Sequence, residues 1–468
     1  MRIEGLALAL VAAMPLAGCV STSVRGDVDD LRTLTHATTL ADVSGPVDDA
    51  PATEVDEILA APLDADAAVR IAMANNRELR ATLRELGISR SRLLTAGLLA
   101  NPTVEAELTP ERQSAVAMRV EWDVASVVLA PLRSEAASAD LDAARFDAAE
   151  AVLETGYEVR AAFYALAAAE ESLAIAQRAL EAQLTARDAA RALGDAGNLR
   201  PLDVRVREAA FEEERVAVAE RELEALVARE HVQRLLGLHG DDTAWTIAGA
   251  LAPAPEAPAD PEDLETRAVD ASLALRALAA TMVGHARRAG LARTEALLPE
   301  LLVDLHALIG TADTTMAAPS TALGGGVALR LPIFDQGSGR VAMHEHALDA
   351  AFERYVGTAI EVRSAAREAR ARVLSSALRA HHYEAIVVPA RQRVLDETVL
   401  QYDAMQVSVF QLLEALRARQ DSEIASVHTR AEYWTEAAAM DALLAGHVVR
   451  REASARPPRA PMSTTEEL

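Results

Sequence analysis

The sequence predicts a mainly α protein with a small β part, an internal duplication, and long antiparallel coiled-coil hairpins of helices. The first observation is the stretch from Leu132 to Leu193, which has no proline and a single glycine, Gly156. At about 1.5 Å per residue it extends roughly 90 Å, far beyond a globular need. The second is a gapless repeat: the segment from Asp195 to Leu236 lies over the segment from Asp403 to Leu444 at a constant spacing of 208 positions. The third is a set of four short stretches that alternate apolar and polar residues with period two. Composition agrees. The 468 residues are 51% hydrophobic but only 3% aromatic, and small apolar side chains let helices approach closely.

Charge and hydropathy exclude other classes. A net charge of −25 argues against an extended nucleic-acid surface, which needs clustered Lys and Arg. Beyond the N-terminal apolar run, nothing approaches the roughly 18 apolar residues of a membrane-spanning helix. A membrane crossing would therefore have to use strands.

The elements follow in order. Residues 1–18 read as an export signal ending in Leu16-Ala17-Gly18, directly before Cys19, the only cysteine. That spacing predicts a bacterial lipoprotein with a covalent lipid on Cys19; an ordinary secretory signal is the alternative. Val20 after the cysteine resembles lipoproteins sorted to the outer membrane. Residues 20 to about 60, and the tail from Arg450, are expected to be extended or disordered. The first unit covers 61–237, a Pro-rich linker follows over 238–261, and the second unit covers 262–449. Each has a helix, two strands and two very long helices. Leu166, Leu173, Leu180 and Leu184 mark a coiled-coil seam, and Pro201 opens the partner helix at a first-turn position. Val409, Leu412, Leu413 and Leu416 stand in the second unit's partner.

The strands are expected at about 101–108, 114–123, 299–309 and 322–333. Val104 and Ala106 alternate with Glu105 and Glu107; Val116, Met118, Val120 and Trp122 with Arg119 and Glu121. Leu301, Val303 and Leu305 alternate with Asp304 and His306, and Val327, Leu329, Leu331 and Ile333 with Arg330. In a soluble sandwich the apolar face would be core. Each strand also has the length, about nine to eleven residues, that crosses a bilayer when tilted. Four strands cannot close a barrel and lipid does not tolerate open edges, so in that case several chains share one barrel.

The arrangement resembles the outer-membrane efflux protein family of TolC-type channels. The resemblance rests on the lipobox Leu16 to Cys19, on Asn75-Asn76, and on Ala96-Gly97-Leu98-Leu99-Ala100-Asn101-Pro102. It rests further on Leu235-Leu236-Gly237-Leu238 with Trp245-Thr246-Ile247, and on Leu331-Pro332-Ile333-Phe334-Asp335-Gln336-Gly337. It implies a homotrimer whose chains together build a twelve-stranded transmembrane β-barrel in outer-membrane lipid and an α-barrel in the periplasm. The implied partners are a periplasmic adaptor and an inner-membrane pump, with no nucleic acid. Membrane-facing positions would be Val104, Ala106, Val116, Met118, Val120, Trp122, Leu301, Val303, Leu305, Leu329 and Leu331. The hairpin turns would form the periplasmic tip and pore constriction, with Asp195, Asp403, Met405 and Gln406 as candidates. Asn198, Leu199, Pro201, Leu202, Val407, Ser408, Val409 and Phe410 would be candidate adaptor contacts. Two readings of Asp195 and Asp403 stand: an acidic ring favouring cations, or residues that only cap or turn a helix. Met405 replaces the glycine usual in the family, which leaves the second tip's geometry open. The short first hairpin and scarce girdle aromatics leave room for a reduced barrel.

Other signals carry less. His344 and His346 point in different directions on a helix, and His381-His382 lacks a ligand set, so no metal is expected. Gly324-Gly325-Gly326 lacks the Lys-Ser/Thr of a phosphate loop and precedes a strand. No nucleophile elbow or zincin motif occurs; neither an enzyme nor any cofactor beyond the lipid is expected. The function expected is a passive exit duct for small molecules or metal ions. A type I protein secretion outlet and a non-pore, lipid-anchored periplasmic coiled-coil scaffold are the alternatives.

Overall fold

The computed structural model describes residues 23–37, 40, 52–109, 115–258, 261–298, 300–310 and 321–450. Helices α1 (Arg25–Thr35), α2 (Ala52–Leu59), α3 (Ala65–Asn75) and α4 (Arg77–Ala96) lead into strands β1 (Thr103–Thr109) and β2 (Ala115–Asp123). Then come α5 (Ala125–Asp195) and α6 (Pro201–Leu236). The second unit repeats the plan with α7 (Leu264–Ala271), α8 (Leu273–Leu297), β3 (Leu301–Gly310) and β4 (Thr321–Leu329). It ends with α9 (Ser338–His382), a π-helical turn (Tyr383–Val387), α10 (Val388–Asp403) and α11 (Val409–Ala445). Among the described residues no helix is long and apolar enough to cross a membrane.

Helix α5 is the pillar. Its 71 residues span about 107 Å at about 1.5 Å per residue, and it packs against α6, α8, α11, α4 and α3. The leucine line that spacing predicts is only partly the seam: Leu166 is fully buried, but Leu173 and Leu180 are half-buried. Ala168, Ser172, Ile175, Ala176, Gln183 and Ala190 are buried, whereas Leu184 is 39% exposed. Beyond Leu166, small side chains face the neighbouring helices because they permit close approach, and this leaves the longer leucines nearer the flanks. In the second unit the matching long helix is interrupted by the π turn just before Pro389. Proline lacks an N–H and its ring crowds the carbonyl four residues earlier; widening the preceding turn relieves that clash.

The two units share a joint where a short helix meets a long one. In the first, Asn75 Nδ2 donates to Leu236 O (3.0 Å) and Gly237 O (2.9 Å), and Asn76 Nδ2 donates to Leu235 O (2.7 Å). Asn76 Oδ1 also accepts from Leu79 N–H (2.9 Å). Two amides thus satisfy the last carbonyls of α6 and the first free N–H of α4. Gly237, at φ 69°, lies so close to Asn75 O that a Cβ would clash. The second unit builds the same joint differently. Ser272 Oγ accepts from Leu275 N–H (3.3 Å), Leu273 N–H donates to Gly446 O (3.0 Å), and Gly446 packs on Ala271 O at φ 115°.

Apolar clusters cement these joints. One joins α1, α4 and α5 to Leu273; a second joins α2, α3, α5 and the end of α6 to Leu238 and Trp245. A third joins α7, α9 and α11. Trp245 lies under the Arg229 guanidinium, 4.7 Å from the ring centroid, and Arg229 Nη1 donates to Trp245 O (2.8 Å).

The expected extended segment over 20–60 is corrected at α1 and α2. Asp27 of α1 is fully buried and receives Arg90 Nη2 (2.9 Å) together with Arg145 Nε (2.9 Å) and Nη2 (2.6 Å). Burial pushes its carboxyl up, but the two guanidinium groups outweigh this and hold it below the usual carboxylate range. Cys19, the signal and the tail from 451 onward lie outside the described residues.

The strands form one antiparallel sheet in the order β1-β2-β3-β4. The fourth strand stops at Leu329, short of the expected 333: Pro332 cannot donate to a ladder, and Leu331 and Ile333 lie outside it. Leu331 is therefore not a strand residue.

Candidate functional site

The register sorts the sheet into two faces. On one, Val104 pairs with Val120 and Ala106 with Met118; Val120 pairs with Leu305 and Trp122 with Val303. The row continues through Val303 to Val327 and Leu301 to Leu329. This face is bare: Val104 is 62%, Leu305 65%, Leu323 81% and Val327 72% exposed. Val116 belongs to the same face, opposite Ile309. Trp122 Nε1 donates to Ala100 O (2.7 Å), which ties the indole to the chain entering β1. Leu323, opposite Ala307, completes the apolar face and was missed because the glycines beside it hide the alternation.

The opposite face is polar. Glu105, Arg119, His306 and Gly324 form one cross-strand row; Thr103, Glu121, Asp304 and Gly326 form the next. Among the described residues the outer edges of β1 and β4 have no strand partner.

At the far end of the long helices are the two tips. Gln420 Nε2 donates to Glu214 Oε1 (2.8 Å) and Arg417 pairs with Glu213, so α6 and α11 run side by side and bring both turns to one end. The first turn closes with Gly197 N–H on Gly194 O (2.9 Å) and Asn198 N–H on Leu193 O (2.8 Å). The second has Met405 N–H on Tyr402 O (2.9 Å) and Gln406 N–H on Gln401 O (2.8 Å), the same pattern 208 positions later. Gly197 has φ 75° and Met405 has φ 58°. Met405 thus adopts the left-handed conformation of the glycine it replaces, which settles the second tip's geometry; its side chain is 94% exposed.

Asp195 and Asp403 are the last residues of α5 and α10, and both are exposed. Among the described residues neither carboxylate has a hydrogen-bond or ion-pair partner. A helix C-terminus disfavours a carboxylate, so helix capping does not account for them. Asn198, Pro201, Leu202, Gln406, Ser408 and Phe410 are exposed, while Leu199 and Val407 are half-buried. Val409 is buried in its own hairpin, which removes it from the accessible contacts. Ser408 also has a local task, closing a capping box with Gln411. Buried Asp203, bound by Arg200 Nε (2.9 Å) and Nη2 (3.1 Å), is an addition; its place in the first turn of α6 was the available signal.

The expected histidines stay apart from any ligand set. His344 lies 6.3 Å from His285, ring to ring, and Glu345 pairs with Arg293. Among the described residues no group of three or more ligating side chains is poised for a metal.

No family model matches the chain, and no curated protein matches it. Solved structures do. A membrane protein from Pseudomonas aeruginosa is 18% identical, with TM-score 0.68 over 81% of this chain and 93% of that one. The outer membrane channel CmeC of Campylobacter jejuni is 14% identical, with TM-score 0.68 over 90% of this chain and 93% of that one. The open-state outer membrane channel MtrE of Neisseria gonorrhoeae is 17% identical, with TM-score 0.63 over 82% and 89%. The chain therefore has the fold of outer-membrane channel proteins. The mainly helical chain with a small four-stranded antiparallel sheet, expected from the resemblance, is observed.

Proposed function

We propose that the chain is the outer-membrane exit channel of a tripartite efflux system, working as a homotrimer. The observation that carries this is the sheet: four strands with one wholly apolar face, two unpartnered edges, and helices of about 100 Å beneath. An edge in lipid must be paired, and β4 of one copy can meet β1 of the next until three copies close a ring. The apolar face then meets lipid, the polar face lines the lumen, and the helices continue the duct through the periplasm. A scaffold without a pore would leave the apolar face bare in water, which disfavours that alternative.

The channel carries out no bond chemistry; transport energy comes from an inner-membrane pump. An adaptor docks at the exposed turn residues Asn198, Leu202 and Phe410, and Asp195 and Asp403 give the tip an acidic ring that favours cations. Lipid on Cys19 adds a tether beside α1. Small-molecule efflux and type I protein export differ in the pump engaged, and the cargo follows from it.

The test is a disulfide between copies. With Cys19 replaced by Ser, cysteines placed at facing positions of β1 and β4 should give covalent trimers on oxidation, and the protein should conduct in planar bilayers with cations preferred. Monomeric, non-conducting protein overturns the reading.

A further inference from the structure

Three consecutive glycines inside a strand are costly, because glycine packs nothing and loses the most backbone freedom on folding. Gly324, Gly325 and Gly326 nevertheless form the middle of β4. The register gives the reason. Gly324 lies opposite His306 and Gly326 opposite Asp304, both on the polar face, and His306 Nδ1 is 2.9 Å from Asp304 Oδ2. A Cβ on Gly324 would overlap the His306 ring at Nε2, and one on Gly326 would overlap Asp304 Oδ1. The imidazole and the carboxylate thus lie down across β4 instead of standing out from the sheet. Gly325 points the other way, opposite Leu305, where a Cβ would meet Asp304 O at 3.2 Å and Leu305 Cδ2 at 3.5 Å.

The setting is charged. Arg119 and Glu121 of β2 flank the pair in the same two rows, with Glu105 of β1 beyond; β4 contributes no charge there. Over β1, β2 and β3 the polar face carries Glu105, Glu107, Glu121, Asp123 and Asp304 against a single arginine, Arg119.

We propose that Gly324 and Gly326 are positioning residues for permeation: they seat the His306–Asp304 pair flat against the lumen wall, so that the outer pore stays wide. This rests on the channel reading above. Cargo passing this level meets a hydrogen-bonded acid–imidazole pair held to the wall, repeated in each copy. The pair is a selectivity element for cationic solutes in the β-barrel, separate from the acidic tip.

Substituting alanine at Gly324 or Gly326 moves side-chain ends, not backbone, so these variants should fold. Single-channel recordings of trimers decide the matter. G324A and G326A should lower conductance by pushing the imidazole or the carboxylate into the lumen, and G326A should strengthen cation preference by bringing the carboxylate nearer the axis. D304N should shift the reversal potential toward zero in a salt gradient, and G325A should match wild type. In an H306A background, G324A should have no further effect, a double-mutant cycle that a purely structural role would not produce. If G324A fails to assemble, G324A/H306A must restore trimers. Conducting wild-type trimers with G324A and G326A indistinguishable from G325A overturn this inference alone; a wild-type protein that never conducts overturns the channel reading with it.

Discussion

The two hairpins of this chain have the same turn and very different support. α5 is a single helix buried on several sides, with Ala168, Ile175 and Ala190 packed against neighbours. Its counterpart is broken by the π turn before Pro389, and α10 beyond the break has no buried residue at all. The first tip uses Gly197 for its left-handed residue and the second uses Met405. Duplication preserved the hydrogen-bond pattern while packing diverged: one arm is anchored and the other held mainly along α11.

Substitutions at three places, the ion cluster, the joints and the tips, would break or sharpen that contrast. The largest effect is expected at Asp27, whose ion cluster exists only in the anchored half. Asp27→Ala removes the buried carboxylate that Arg90 and Arg145 share, leaving Arg145 only its more exposed partners Asp142 and Asp30, and should cost about 3 kcal/mol in thermal unfolding of the detergent-solubilised protein. Its folded pKa lies below the unfolded one, so its contribution is complete above the ordinary carboxylate range and disappears as pH falls through the depressed pKa. Asp27→Asn should flatten that acid limb; an unchanged limb would show that the cluster does not govern it.

Next come the joints. Asn76→Ala removes an N-cap and a hydrogen bond to the end of α6 and should cost about 2 kcal/mol, against about 1 kcal/mol for Ser272→Ala, which removes a cap alone. Equal losses would mean the two joints are equivalent despite their chemistry. The smallest effect is at the tip. Met405→Gly should stabilise by about 1 kcal/mol by relieving a left-handed non-glycine, and Gly197→Met should cost a similar amount. Opposite signs at matched positions would show that the two turns are one structure with two sequences.

Much of this was legible in the residues, and the gaps share a cause. The repeat placed both tips, because local turn chemistry recurs at a fixed spacing. Alternation placed β1 to β3, but β4 was drawn too long since Leu331 and Ile333 continue the pattern past Pro332. Helix α1 was missed because Arg90 and Arg145, which hold Asp27, are 63 and 118 positions away. The seam was only partly placed, at Leu166, because heptad leucines are conspicuous and buried alanines are not. Gly324 and Gly326 looked like a failed phosphate loop until the register set them opposite His306 and Asp304. Apart from the strand end at Pro332, each gap depends on a partner distant in the chain, which no local window contains.

The unpaired rims of β1 and β4 have a genetic consequence. In the three-copy ring proposed above each subunit would own half of two seams, so one copy with a proline in β4 would spoil the whole ring. Co-expressing such a copy equally with the normal one would leave only about one-eighth of the rings intact. Damage there would behave as dominant, whereas damage confined to the interior of one subunit would dilute in proportion.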